Sequence, residues 1–157
     1  DGGLAKWLAE GRPLSTLAPR STARGFAARL QPGFLATKAE LASLDPQRLL
    51  LDARAPERYR GELEPVDPRA GHIPGARNAP YAGNLTDGPV PGFLPAGALR
   101  DRYAKLGAGA REPVVYCGSG VTACHDLLAL RLAGLGGRLY PGSWSEWSAD
   151  PSLPLER

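Results

Sequence analysis

A cysteine, two glycines, a serine and a threonine fall together in Cys117-Gly118-Ser119-Gly120-Val121-Thr122. A β-branched run, Val114-Val115, precedes this stretch, and the apolar helical pattern Val121 to Ala133 follows it. A thiol so placed sits at the carboxyl end of a strand and the amino end of a helix. The helix terminus offers unpaired backbone N–H groups and about half a positive charge. Both favour thiolate over thiol, because they stabilise the charged form. Gly118 and Gly120 let the loop adopt φ > 0 and turn its amides inward as an anion-binding nest. The chemistry expected is nucleophilic attack by Cys117, with an anionic adduct held by the amides of Gly118 to Ala123. Ser119 and Thr122 either add hydroxyl donors to this cradle or cap the loop and helix.

Bidentate capture of a phosphate dianion calls for an arginine at the far end of such a loop. That place holds Ala123, which argues against phosphatase chemistry. The remaining polar candidates read as structural. Asp52 is placed to organise its loop by accepting backbone N–H bonds, and His72, ahead of Ile73-Pro74-Gly75, to stabilise a turn. His125 falls one turn into the helix, at surface or core. Cys124 reads as a buried small hydrophobe, with a resolving thiol as the alternative, and Trp144 and Trp147 as core residues. No set of His, Cys or carboxylates has metal-ligand spacing, so neither a metal nor a cofactor is expected.

The elements that must position these residues alternate. Thr37 and Glu40 form a capping box for a helix through Leu44. Leu49-Leu50-Leu51, closed by Asp52, reads as a buried strand, and Ala55 to Arg60 as a short helix. Residues 61–75 and 80–95 are rich in Pro and Gly and read as loops around a short strand, Arg77-Asn78-Ala79. A helix from Pro95 to Leu106, strands at 113–116 and 138–140, and helices at 121–133 and 143–149 complete the order. Short apolar strands alternating with helices argue for an α/β fold with a mainly parallel sheet. Such sheets bind ligands beyond the carboxyl ends of their strands, where Asp52 and Cys117 both fall.

The 157 residues suit one domain with a real core. No apolar run approaches the roughly 20 residues of a membrane span, and no signal-peptide pattern opens the chain. A net charge of +3, from 19 basic and 16 acidic residues, is too balanced to argue for nucleic acid. Two cysteines on one loop–helix segment give no disulfide framework, so a reducing, cytoplasmic setting is expected. The ends of the chain resemble each other: an offset of 140 aligns Gly2 with Gly142, Trp7 with Trp147 and Glu10 with Asp150. With no methionine in the sequence, this points to a fragment of a protein that carries the unit twice. Residues 1–13 would be the tail of a first copy, 14–32 a linker and 33–157 the complete second copy.

Four segments, Asp52-Ala53-Arg54, Arg58-Tyr59-Arg60-Gly61, Gly71-His72-Ile73-Pro74-Gly75-Ala76 and Cys117-Gly118-Ser119-Gly120-Val121-Thr122-Ala123, together resemble the rhodanese superfamily of sulfurtransferases. The resemblance runs from about residue 33 to 150. It implies a three-layer fold, a five-stranded parallel sheet with helices on both faces. It implies a small-molecule sulfur donor, a Cys117 persulfide, and cyanide, a thiol or a protein as acceptor. Tandem members place their pocket between an inactive first copy and a catalytic second copy, and this chain resembles the second. A preceding domain is therefore an implied partner.

Thiosulfate-preferring members carry basic residues just after the cysteine, where this chain has Gly118 and Ser119. The pattern Cys-Gly-Ser-Gly-Val-Thr looks instead like the mercaptopyruvate sulfurtransferases, whose donor carries one carboxylate. Arg58 and Arg69 match the arginines that hold that carboxylate, although the stretch from Gly61 to Pro68 is slightly longer than the usual pattern. For either arginine the alternative is an ion pair with a nearby carboxylate. Two other readings stand beside the enzyme. One is a sulfur-carrier or protein-interaction module with little turnover of its own; the other is a phosphatase-like or arsenate-reducing cousin, disfavoured by Ala123.

Overall fold

The leucines and valines of two short runs form the centre of the sheet. The computed structural model describes residues 1–18, 25–29, 31–43 and 45–157. Strand β1 (Leu49–Asp52) and strand β3 (Pro113–Tyr116) are buried along their whole length and pair in parallel, Leu49 with Pro113 through Asp52 with Tyr116. Strands β2 (Arg77–Asn78) and β4 (Arg138–Leu139) flank them, giving the all-parallel order β2-β1-β3-β4. A strand covered on both faces has no polar side, so it reads as a continuous apolar run.

Alternate residues of the central strands enter different cores. Leu49, Leu51, Val115 and Cys117 pack with Leu99 and Tyr103 of helix α4 (Ala96–Lys105) and Ala123, Ala129 and Leu130 of helix α5 (Val121–Leu132). Leu50, Val114 and Tyr116 face the other way, onto Leu41 of helix α2 (Lys38–Ala42) and Trp144 and Trp147 of helix α6 (Ser143–Ser148). Helices α1 (Gly3–Ala9) and α3 (Pro56–Tyr59) complete the set. Helices on both faces of the sheet make three layers, as expected.

The sheet has four strands among the described residues, not five. The fifth position is reduced to one parallel bridge, Leu35 to Leu139. The chain cannot extend that bridge. Residues Pro32–Phe34 form a 3-10 turn before it, and the Thr37 hydroxyl accepts from Glu40 N–H at 3.2 Å and starts α2 just after it. Glu40 does not complete the capping box but pairs with Arg138 at 2.5 and 3.0 Å, pinning α2 to β4.

The expected end of α2 at Leu44 and part of the expected linker, residues 19–24 and 30, lie outside the described residues. The loop expected over 80–95 contains a 3-10 turn, Tyr81–Asn84. The repeated ends both form helices, but α1 buries none of its side chains, whereas α6 buries both tryptophans completely. No helix is long and apolar enough to cross a membrane among the described residues.

Candidate active site

β3 delivers Cys117 to the α5 side of the sheet, where only 2% of the residue is exposed. The chain then turns through Gly120, whose φ is +86°. A Cβ there would lie 3.0 Å from the Pro141 carbonyl oxygen, so glycine is needed for both conformation and space. This turn aims the Gly120 N–H at the Cys117 Sγ, over 3.1 Å. Of the amides expected from Gly118 to Ala123, that of Gly120 contacts the sulfur, with the amino end of α5 immediately behind it, and Gly118 does not adopt the expected positive φ.

A second clamp comes from α6. The Cys117 N–H donates to Ser143 Oγ at 3.1 Å, and that hydroxyl donates to the Tyr140 carbonyl at 2.9 Å. The N–H groups of Trp144 and Ser145 donate to the carbonyls of Cys117 and Gly118, each at 2.9 Å. Ser143 holds φ +53°, alone among the described non-glycine residues in the left-handed region. Strain of this kind costs on the order of 1–3 kcal/mol and persists where surrounding contacts over-determine it. Sequence reasoning missed Ser143, because a serine opening a helix reads as an ordinary cap.

Cys117 opens into a cleft of about 270 Å³. Gly118 and Ser119 line it from the loop, Val121 and Thr122 from the first turn of α5, Arg54 and Ala55 from the β1–α3 connection, Arg58 from α3, and Tyr81 from the 3-10 turn. α5 has Gly120 at its N-cap and no side-chain cap. The capping alternative for Ser119 and Thr122 is therefore not seen at the α5 terminus, and both residues line the cleft.

Arg58 makes the ion pairs of its structural alternative and also lines the cleft. Its Nη2 donates to Glu64 at 2.6 Å and Asp67 at 3.1 Å, yet the guanidinium also borders the loop. Its Nη1 lies 3.5 Å from where a Cβ on Gly118 would sit. Nε is buried without an acceptor. Arg54 extends the network, gripping Asp52 at 2.6–3.1 Å and meeting Glu64 at 3.2 Å. Burial raises the Glu64 carboxyl, but the Arg58 hydrogen bond and the Asp67 and Val66 amides outweigh it and hold it below its ordinary range.

Arg69 is not brought to the cleft. Its guanidinium donates to the carbonyls of Trp147, Ser148, Asp150 and Leu153 at 2.5–3.0 Å, closing the carboxyl end of α6. All of its nitrogens are spent there, so the expected arginine pair reduces to Arg58 in this arrangement. Arg54, Glu64, Asp67 and Tyr81 were not singled out as site residues from sequence. The available signal was the stretch between Gly61 and Pro68, which carries Glu64 and Asp67, the carboxylates that grip Arg58.

The other polar residues are mostly structural. Asp52 Oδ1 accepts the Arg54 N–H at 2.9 Å, the loop-organising role expected of it. His72 stacks on Tyr59 with ring centroids 3.8 Å apart, and its Nδ1 meets the Tyr59 carbonyl at 2.8 Å. Trp144 and Trp147 are core. Cys124 is exposed, not the buried hydrophobe expected, because it falls on the outer face of α5. Further along α5, Asp126 is buried and accepts from Asn84 Nδ2 at 2.7 Å. Burial pushes its carboxyl up to about 7, against the opposing effects of the Asn84 hydrogen bond and Arg102. His125 packs between Phe93 and Tyr81, and burial lowers its pKa. No cluster of three or more His, Cys, Asp or Glu able to hold a metal occurs among the described residues.

A buried thiol facing a backbone N–H at the switch from a parallel strand to a helix narrows the possible relatives. The profile of the Rhodanese-like domain matches residues 36–150. The chain belongs to the rhodanese-like family. This rhodanese-like chain is 48% identical to a probable 3-mercaptopyruvate sulfurtransferase of Pseudomonas aeruginosa, over 99% of its own length and 56% of the relative's. It is 51% identical to the putative thiosulfate sulfurtransferase SseB of Mycobacterium tuberculosis, over 69% of its length and 38% of that protein's. Among solved structures it superposes on EanB, in complex with ergothioneine covalently linked to a cysteine persulfide. The TM-score is 0.86 at 27% identity, covering 99% of this chain and 40% of that one. The rhodanese-like chain spans about half the length of the first curated relative and less of the others.

Proposed function

We propose that the chain transfers sulfur from 3-mercaptopyruvate, or less readily from thiosulfate, to a thiophilic acceptor through a persulfide on Cys117. The observation that carries this reading is the Gly120 N–H at 3.1 Å from Sγ, at the floor of a cleft bordered by the Arg58 guanidinium. The names of the relatives support the class of donor, and the EanB complex supports a cysteine persulfide on this scaffold.

The Cys117 thiolate attacks the donor sulfur. With mercaptopyruvate an S–S bond forms, the C–S bond breaks, and the departing enolate takes a proton to become pyruvate. With thiosulfate the same attack expels sulfite. Cyanide then attacks the outer sulfur of the persulfide, leaves as thiocyanate and restores the thiolate. Arg58 holds the donor carboxylate, while Gly120 N–H and the α5 terminus stabilise the sulfur anion before and after transfer. Ser119 and Thr122 offer hydroxyl donors to the donor's polar atoms, and Gly118 and Val121 shape the cleft beside the sulfur.

The test is mass spectrometry of the chain after incubation with each donor. One added sulfur on Cys117, removed by cyanide and absent in Cys117→Ser, is expected. No adduct with either donor refutes the reading.

In the domain arrangement that goes with this proposal, residues 1–13 end a preceding rhodanese-like unit and residues 33–157 form the catalytic one. The exposure of Leu4, Trp7 and Leu8 on α1 supports an absent neighbour for that helix. A second reading, a carrier that receives persulfide from a protein partner, is favoured by Val121, which is 73% exposed at the cleft mouth. Transfer from a persulfidated protein that outpaces steady-state turnover of small donors distinguishes it.

A further inference from the structure

Arg58 reaches the cleft already engaged. Its Nη2 is shared by Glu64 and Asp67, Glu64 also receives Arg54, and Arg54 holds Asp52. All three carboxylates are buried, with side chains at most 5% exposed. Two guanidiniums therefore face three carboxylates, and the wall beside Cys117 carries a formal charge of −1. Glu64 is the member that touches both arginines, and its Oε1 is itself fixed by the N–H groups of Val66 and Asp67 at 3.2 Å.

We propose that Glu64 is a positioning residue that determines which donor anion the cleft accepts. It aims Arg58 at the space beside Gly118 and, with Asp67, sets a wall charge that favours a singly charged carboxylate over a dianion. The inference rests on the reading of the cleft as the donor site.

The physical reason is a difference in charge, not in contacts. A monoanion meets the Arg58 Nη1 that faces Gly118. A dianion meets the same group and brings a second negative charge against a wall whose carboxylates outnumber its guanidiniums. Moving the arginines would change binding of both anions; removing one carboxylate charge relieves the dianion more.

The test compares kcat/KM for 3-mercaptopyruvate and thiosulfate, with cyanide as acceptor, in the wild-type chain, Glu64→Gln and Glu64→Asp. Glu64→Gln is expected to lower the mercaptopyruvate-to-thiosulfate ratio about fivefold to tenfold, the effect of one charge at short range in a partly screened site. Glu64→Asp keeps the charge and is expected to hold the ratio within about twofold while KM rises for both donors. An unchanged ratio in Glu64→Gln overturns the proposal. Should that variant fail to fold, Asp67→Asn removes the neighbouring charge on the same guanidinium; it is expected to shift the ratio the same way, and an unchanged ratio there overturns the proposal equally.

A second measurement needs no turnover. Pyruvate and sulfate are compared as protectants of Cys117 against iodoacetamide. Pyruvate is expected to protect at lower concentration in the wild type, and Glu64→Gln to narrow the gap. If no persulfide forms yet the gap narrows, the functional reading falls while Glu64's control of which anion charge the cleft accepts stands. If persulfide forms and the gap is unmoved, the inference falls alone.

Discussion

Ser143 Oγ accepts the backbone N–H of Cys117 at 3.1 Å while its own proton goes to the Tyr140 carbonyl. One hydroxyl thus ties the nucleophile's backbone to the end of β4 and the start of α6, from a residue held at positive φ. Ser143→Ala keeps the strain and orphans a buried N–H, and is expected to cost about 1–3 kcal/mol. Ser143→Gly relieves the strain and is expected to cost less. Chemical denaturation of both variants checks the order; equal costs would mean that the backbone conformation carries no strain.

Gly120 has less freedom. Alanine at φ +86° would add a Cβ 3.0 Å from the Pro141 oxygen, and the loop must shift to accept it. Gly120→Ala is expected to lose about 1–3 kcal/mol of stability. It should also slow persulfide formation at least about tenfold, as the N–H leaves the sulfur. Wild-type single-turnover rates in a folded Gly120→Ala protein would show that this amide does not assist the sulfur.

Arg58→Ala should raise KM for mercaptopyruvate far more than for thiosulfate. Loss of a charge-assisted bond to a carboxylate is expected to cost about tenfold to a hundredfold in KM. It also strands the Asp67 carboxylate and leaves Glu64 with Arg54 as its remaining cation, so Arg58→Lys belongs in the same series to separate binding from folding. Equal effects on both donors would remove Arg58 from carboxylate recognition.

Asp126 predicts a pH dependence of stability. Its folded pKa of about 7 lies above the unfolded carboxyl value, so the folded state binds more protons between about pH 4 and pH 7. Stability from this group is therefore greatest at low pH and declines as pH rises through that window, levelling off above it. Asp126→Asn keeps an acceptor for Asn84 and abolishes the titration. Its melting temperature relative to wild type is expected to rise between pH 5 and pH 8; a constant difference would show that the folded-state carboxyl of Asp126 does not titrate in that window.

The cysteine and its neighbours were legible because each signal is local. Val114-Val115 and the period of residues 121–133 place Cys117 between strand and helix whatever the rest of the chain does. β1, β3 and α5 lie where their apolar patterns put them, since a strand buried on both faces and a helix with one apolar stripe have different periods. The five-stranded sheet was an expectation from resemblance, and here the helix cap at Thr37 cuts the fifth strand, around Leu35, to a single bridge.

Arginine and cysteine roles depend on partners distant in sequence, and these the tertiary structure decided. Arg58 and Arg69 carry the same charge and nothing local to either says which partners it finds. One is held by Glu64 and Asp67 beside the nucleophile; the other is consumed by four carbonyls at the end of α6. The outward position of Cys124, the buried carboxylate of Asp126 and the strained clamp at Ser143 were equally out of reach of local pattern. Sequence alone determined that a thiol would stand at the end of a parallel strand, at the amino end of a helix. Only packing decided which charges stand around it, because a guanidinium goes to whichever acceptors the fold brings within about 3 Å.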